Sequence, residues 1–202
     1  MGLLWMGLDT VLLVALLMPI ILIIYKIRGI RRTAGQMLLL LAFCVYLSMV
    51  FGVTGLPSVR SLNFNLRVNL MPLVEIGNNS SAYLRHSLLN ILMFVPLGFM
   101  VPLIKKRYNS LPRILLLGFT ASGLIELLQL FSFRITDVDD LITNTLGAVV
   151  GLLLFRLAVH LPSLPSPKHG NNRYELSGLA LTLFLIHFFV EPYLTEAIWA
   201  ML

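Results

Sequence analysis

Arg134-Ile-Thr-Asp137-Val-Asp139-Asp140-Leu-Ile-Thr-Asn144 runs directly into an apolar stretch spaced by Gly147 and Gly151. Three of the chain's nine acidic residues fall within four positions there. The apolar run, about residues 140–160, is long enough to cross a bilayer, which takes roughly 20 such residues. Ionisable groups where a membrane helix begins are costly to keep, so their clustering marks a candidate functional site.

The rest of the chain has the same character. Only 12% of its 202 residues are charged and 58% are hydrophobic, whereas a soluble domain is about 25% charged. Further apolar spans lie at about 4–25, 36–56, 86–104, 111–132 and 176–200. The expected fold is therefore all-α and integral to the membrane, with about six transmembrane helices in one bundle. Glu191-Pro192 interrupts the last span, so its membrane part is expected to stop near Val190, with a short amphipathic tail beyond. The first span has no basic lead-in and no small-x-small cleavage site, and reads as a retained helix rather than a signal peptide. A lone cysteine, Cys44, excludes an intramolecular disulfide and reads as a small buried hydrophobe.

The basic residues set an expected orientation. Eleven of the fifteen fall in three loops on one side of the six-helix arrangement. They are Lys26, Arg28, Arg31 and Arg32, then Lys105, Lys106, Arg107 and Arg113, then Arg156, Lys168 and Arg173. Arg60, Arg67, Arg85 and Arg134 fall on the other. The positive-inside rule makes the first set cytoplasmic and both termini extracytoplasmic. In a membrane chain such charge marks loops, so no nucleic-acid partner is expected.

The chain divides into a first helix and basic cytoplasmic loop (residues 1–34), a main membrane domain (35–160), and a connector with the last helix (161–202). The connector Pro162–Asn172 reads as flexible from its Pro, Ser, Gly and Asn content, and His160 and His169 belong to it. Residues 57–85 are too polar to span and too apolar for a plain solvated loop. They read either as an extracytoplasmic segment at the interface or as a re-entrant one.

Asp137, Asp140, Asn144, Gly147 and Gly151 are spaced to share one helix face. The two glycines form a G-x-x-x-G pair that lets a neighbouring helix approach closely. Asp139 leaves that face and is expected to pair with Arg134 or face water. An alternative makes Asp137 and Asp139 an acidic first turn complementing the helix dipole. On the preceding span Ser122, Glu126 and Gln129 share a face. Glu126 stands among leucines, where a carboxylate needs a cation or donors, and Arg134 is one candidate. Asn90 lies level with the acids on the span that carries Pro96, which cannot donate to Leu92 and is expected to kink it. His86 reads as interfacial, and Asp9, His187 and Glu191 carry no assignment. Glu126, Gln129, Asp137, Asp140 and Asn144 are expected to converge, with Asn90 and Arg134 at the edge.

Asn90-x-x-x-Phe94-x-Pro96-x-Gly98, Ser122-x-x-x-Glu126-x-x-Gln129 and Arg134-x-x-Asp137-x-x-Asp140-x-x-x-Asn144-x-x-Gly147 resemble the VanZ-like family of bacterial membrane proteins. Asn69-Leu70-x-Pro72 fits it too, although Leu73 stands where an aromatic is expected. The resemblance covers roughly residues 35–155. It implies residence in the bacterial cytoplasmic membrane and a cell-envelope role linked to glycopeptide and lipoglycopeptide resistance, teicoplanin in particular. It supplies no reaction.

Three functions fit these residues. One is an envelope protein whose outward polar pocket, lined by Asn90, Glu126, Gln129, Arg134, Asp137, Asp140 and Asn144, takes a membrane lipid, a lipoglycopeptide or a lipid-linked envelope precursor. The second is an intramembrane enzyme using Glu126, Asp137 and Asp140 as acid and base, or as oxygen ligands of a hard cation. The third is a proton-coupled transporter or flippase. The sequence has no HExxH, P-loop or Ser-His pattern, and no motif requires a cofactor.

Overall fold

The structure, a computed structural model, describes residues 2–27, 29–30, 32–64, 67–69, 71, 80–159 and 175–200, without the side chains of 2–9 and Trp199. Arg28, Arg31, Leu70, Pro72, Leu73, His160, Lys168, His169, Arg173, the connector and the Asp9 side chain lie outside the described residues.

Helices dominate. They are α1 (Gly2–Ile27), α2 (Ala34–Thr54), α3 (Ser80–Ile104), α4 (Leu111–Gln129), α5 (Val138–Ala158), α6 (Glu175–Phe189) and α7 (Glu191–Trp199). The first five are each long and apolar enough to cross a membrane. The last two are together long and apolar enough for a further span and meet at a bend of 48°. The bend falls at Val190, where Glu191-Pro192 opens a new helix, as the proline requires.

Large apolar side chains stay exposed along these helices, such as Leu116, Phe119, Leu124 and Leu127 on α4. A surface of this kind is stable only against lipid, so the chain is a membrane protein. Hydroxyls on the helices turn back onto their own backbone. Thr120 donates to the Leu116 carbonyl and Thr182 to that of Gly178, which satisfies them where water is absent.

The contacts group the chain into two compact units, Met1–Leu62 with Asn171–Leu202, and Asn63–Gly170. In the first, α1 contributes Leu13, Leu17 and Ile21, α2 contributes Leu40, Phe43, Cys44 and Leu47, and α6 contributes Leu179 and Leu183 to a buried core. At one end of this unit the Tyr25 hydroxyl donates to Glu175 Oε1 at 2.5 Å. Arg32 pairs with the same oxygen and lies over the Tyr25 ring. At the bend, His187 Nδ1 meets Glu191 Oε2 at 2.5 Å.

Because Glu175 and Arg32 are both buried, removing one partner strands a charge. Arg32→Met is expected to destabilise this unit by about 3–5 kcal/mol. Adding Glu175→Leu is expected to recover most of that, measured by unfolding in detergent mixtures.

The second unit holds α3, α4 and α5. Here α3 and α5 interlock backbone to backbone. A Cβ on Gly147 would stand 2.2 Å from the Ile91 carbonyl oxygen, one on Gly151 2.1 Å from that of Val95, and one on Gly98 1.9 Å from that of Ala148. The matched pairs 91–147 and 95–151 both rise along the chain, so the two helices run parallel. The G-x-x-x-G pair therefore does what its spacing predicts. α4 runs antiparallel to α5, with Gly118 against Ala148 and Ser122 against Asn144.

The first turns of α3 were not legible as apolar sequence. The helix begins at Ser80 rather than near residue 86, so a polar end carrying Tyr83 and His86 projects beyond the apolar part. Helix α3 continues through Pro96 and Pro102. In the segment before it, Val68–Asn69 (β1) pairs in parallel with Thr136–Asp137 (β2). This two-residue ladder ties the segment to the start of α5.

Candidate functional site

The polar side chains of the second unit gather where this ladder meets the ends of α3, α4 and α5. Asp137 is the hub. It is extended, at φ −128° and ψ 131°, and precedes the helix instead of belonging to it. The expected five-residue helix face therefore begins at Asp140. Asp137 caps the helix, its Oδ1 accepting from the Asp139 N–H at 2.9 Å, and Asp139 and Asp140 form the acidic first turn. Asp137 Oδ2 accepts from Asn69 Nδ2 at 3.0 Å. Its own N–H donates to Glu126 Oε2 at 2.9 Å.

Glu126 thus receives a main-chain donor in the last turn of an apolar helix, and the side chain is buried. The Thr136 hydroxyl donates to the Glu126 carbonyl at 3.0 Å, and the Thr136 N–H to the Arg67 carbonyl at 3.0 Å. Asn69 is fixed in turn, since its Oδ1 accepts from the Met71 N–H at 3.2 Å, an Asx-turn.

A second set of contacts lies on the α3 side. Asn90 Nδ2 donates to Asp140 Oδ1 at 2.7 Å, and His86 Nδ1 lies 3.6 Å from the same oxygen. Ser122 extends the second set from α4. Its hydroxyl donates to the Asp140 carbonyl at 3.4 Å and accepts from Asn144 Nδ2 at 2.9 Å. Asp137 and Asp140 are the charged neighbours that act on Glu126.

The remaining expected residues divide. Gln129 is buried one turn beyond Glu126. Arg134 is exposed in the turn between α4 and β2, its N–H donating to Ser132 Oγ at 3.2 Å. Asp139 is not in water: it is 6% exposed, beside Tyr83. Among the described residues no three His, Cys, Asp or Glu side chains converge closely enough for a metal ion, so the geometry lends the cation reading no support.

Sequence reasoning passed over Asn69 as a site residue, took His86 as interfacial, and did not weigh Tyr83 or Thr136. The Asn69–Asp137 contact spans 68 positions through a ladder too short to leave a periodic signal. For His86 the signal was present, since His86 and Asn90 are one turn apart on one face.

The VanZ/LLP1 family model matches residues 37–159. The chain is 33% identical over 116 residues to Protein VanZ of Enterococcus faecium, a match covering 55% of this chain and 62% of that protein. It thus spans about three fifths of that relative's length. No solved structure matches.

Proposed function

This chain belongs to the VanZ/LLP1 family, and on that premise we propose that it is a cell-envelope protein of the bacterial cytoplasmic membrane. In this reading its polar cluster is the functional site and faces the outer leaflet. It handles an amphiphilic molecule there, either a lipoglycopeptide or a lipid-linked envelope precursor, and so bears on teicoplanin susceptibility. The observation that carries the reading is the pair of hydrogen-bonded sets Asn69–Asp137–Glu126 and Asn90–Asp140–Ser122–Asn144, assembled from five elements at one end of membrane-length helices. Packing alone does not call for buried carboxylates, because apolar residues of similar volume fill such positions at lower cost.

The orientation rests on the split of basic residues and the positive-inside rule. A single cysteine placed near Lys106 is expected to resist impermeant thiol reagents in intact cells. Rapid labelling there reverses the topology and turns the cluster toward the cytoplasm.

The functional test is teicoplanin susceptibility in a Gram-positive host. Asp140→Asn, at matched expression, is expected to bring the host to the level of empty vector. An intramembrane enzyme using Glu126, Asp137 and Asp140 would instead show turnover of a lipid-linked substrate that the variant loses. A proton-coupled transporter would show dependence on the pH gradient.

A further inference from the structure

Beneath the carboxylates lies an acceptor that lacks a donor. Asn144 is 2% exposed, and its Oδ1 is buried with no hydrogen-bond partner among the described residues. Ser122 cannot serve it. The Ser122 proton goes to the Asp140 carbonyl, and its oxygen already receives the Asn144 amide. Turning the amide over would ask that one proton to serve two acceptors and leave two donors stranded. A buried carbonyl oxygen without a donor is costly, so the arrangement is complete only when something else supplies an N–H or O–H.

The surroundings limit what that group is. Asn144 lies one helical turn below Asp140, whose side chain is 17% exposed and gives the cluster its access. From α4 and β2 come Glu126 and Asp137, and from the first turn of α5 comes Asp139. The α3 groups are His86, 57% exposed, and Arg85; Arg85, Arg67 and Arg134 are exposed at the same end of the unit. A phosphate brings no donor and meets like charge at the carboxylates. A neutral hydroxyl supplies the donor and leaves the acids unbalanced. An ammonium supplies up to three donors and a positive charge.

We propose that this cluster binds a primary ammonium group, carried by an amine-bearing lipid headgroup, with Asp140 as its ion-pair partner and Asn144 Oδ1 as the acceptor beneath. The exposed arginines suit the phosphate that such a headgroup carries behind its amine. The inference rests on the reading of this cluster as the functional site and names the chemistry that the site takes.

The test uses the full chain in nanodiscs of phosphatidylglycerol mixed with phosphatidylethanolamine or with its N-acetylated form, which has a neutral amide in place of the ammonium. Native mass spectrometry reads the lipid that stays bound. Phosphatidylethanolamine is expected to be retained about tenfold over the N-acetylated lipid, the size of one charge-assisted hydrogen bond. The preference is expected to fall to parity in Asp140→Asn and in Asn144→Leu. Displacement by added methylammonium also supports the proposal, with a free amine as the source; resistance to it supports the lipid headgroup. Equal retention of the two lipids by the unaltered chain overturns the proposal, and so does a preference that survives in folded Asn144→Leu. The unaltered chain is decisive by itself if Asn144→Leu fails to insert. Binding is read directly, so loss of the ammonium preference leaves a susceptibility effect of Asp140→Asn standing. Absence of both removes the site itself.

Discussion

Gly147→Val is expected to disrupt the unit formed by residues 63–170. Its Cβ would meet the Ile91 carbonyl oxygen at 2.2 Å, a backbone atom that no side-chain rotation can move. Overpacking a core costs about 1–3 kcal/mol where neighbours can shift. Here α3 and α5 must separate along their contact, so the loss is expected at or above that range. It also lifts Asn90 away from Asp140, because both helices carry the site. Gly178→Ala is the control, since nothing lies within 4 Å of its added methyl. Unfolding in mixed detergent micelles reads both. Equal midpoints for Gly147→Val and the parent chain would show that α3 and α5 do not touch as described.

The helices and their glycine contact were legible because each depends on local pattern. Twenty apolar residues define a span whatever lies beside it, and the i, i+4 spacing of Gly147 and Gly151 places both on one face. The break at Val190 followed from Glu191-Pro192 for the same reason. What escaped reading was set by contacts distant in sequence. The β1–β2 ladder brings Asn69 to Asp137, and it draws Asp137 out of the helix that its spacing had suggested. The burial of Asp139 against α3, beside Tyr83, is likewise a contact between residues far apart in sequence. The polar first turns of α3 carry no apolar signal, so a hydropathy reading begins that helix too late. The two units also interleave along the chain, with α1, α2, α6 and α7 on either side of α3–α5. Composition gives no hint of that, since every helix is apolar.

Under the proposed function, Glu126→Gln is expected to abolish protection against teicoplanin while leaving the fold intact. The argument separates charge from hydrogen bonding. The Glu126 carboxylate accepts from the Asp137 N–H, and a glutamine carbonyl of the same shape accepts that bond equally well. What glutamine removes is the ionisable carboxyl group, which stands near those of Asp137 and Asp140. If that group were only a structural burden, its removal would be neutral or stabilising, since ionisable groups are costly to hold in an apolar helix. Membrane abundance and detergent unfolding of Glu126→Gln should therefore match the parent chain within about 1 kcal/mol. The decisive measurement is teicoplanin susceptibility of a Gram-positive host expressing parent or Glu126→Gln chain at equal membrane abundance. The polar cluster as functional site predicts protection by the parent and empty-vector susceptibility for Glu126→Gln; full protection by Glu126→Gln would contradict it.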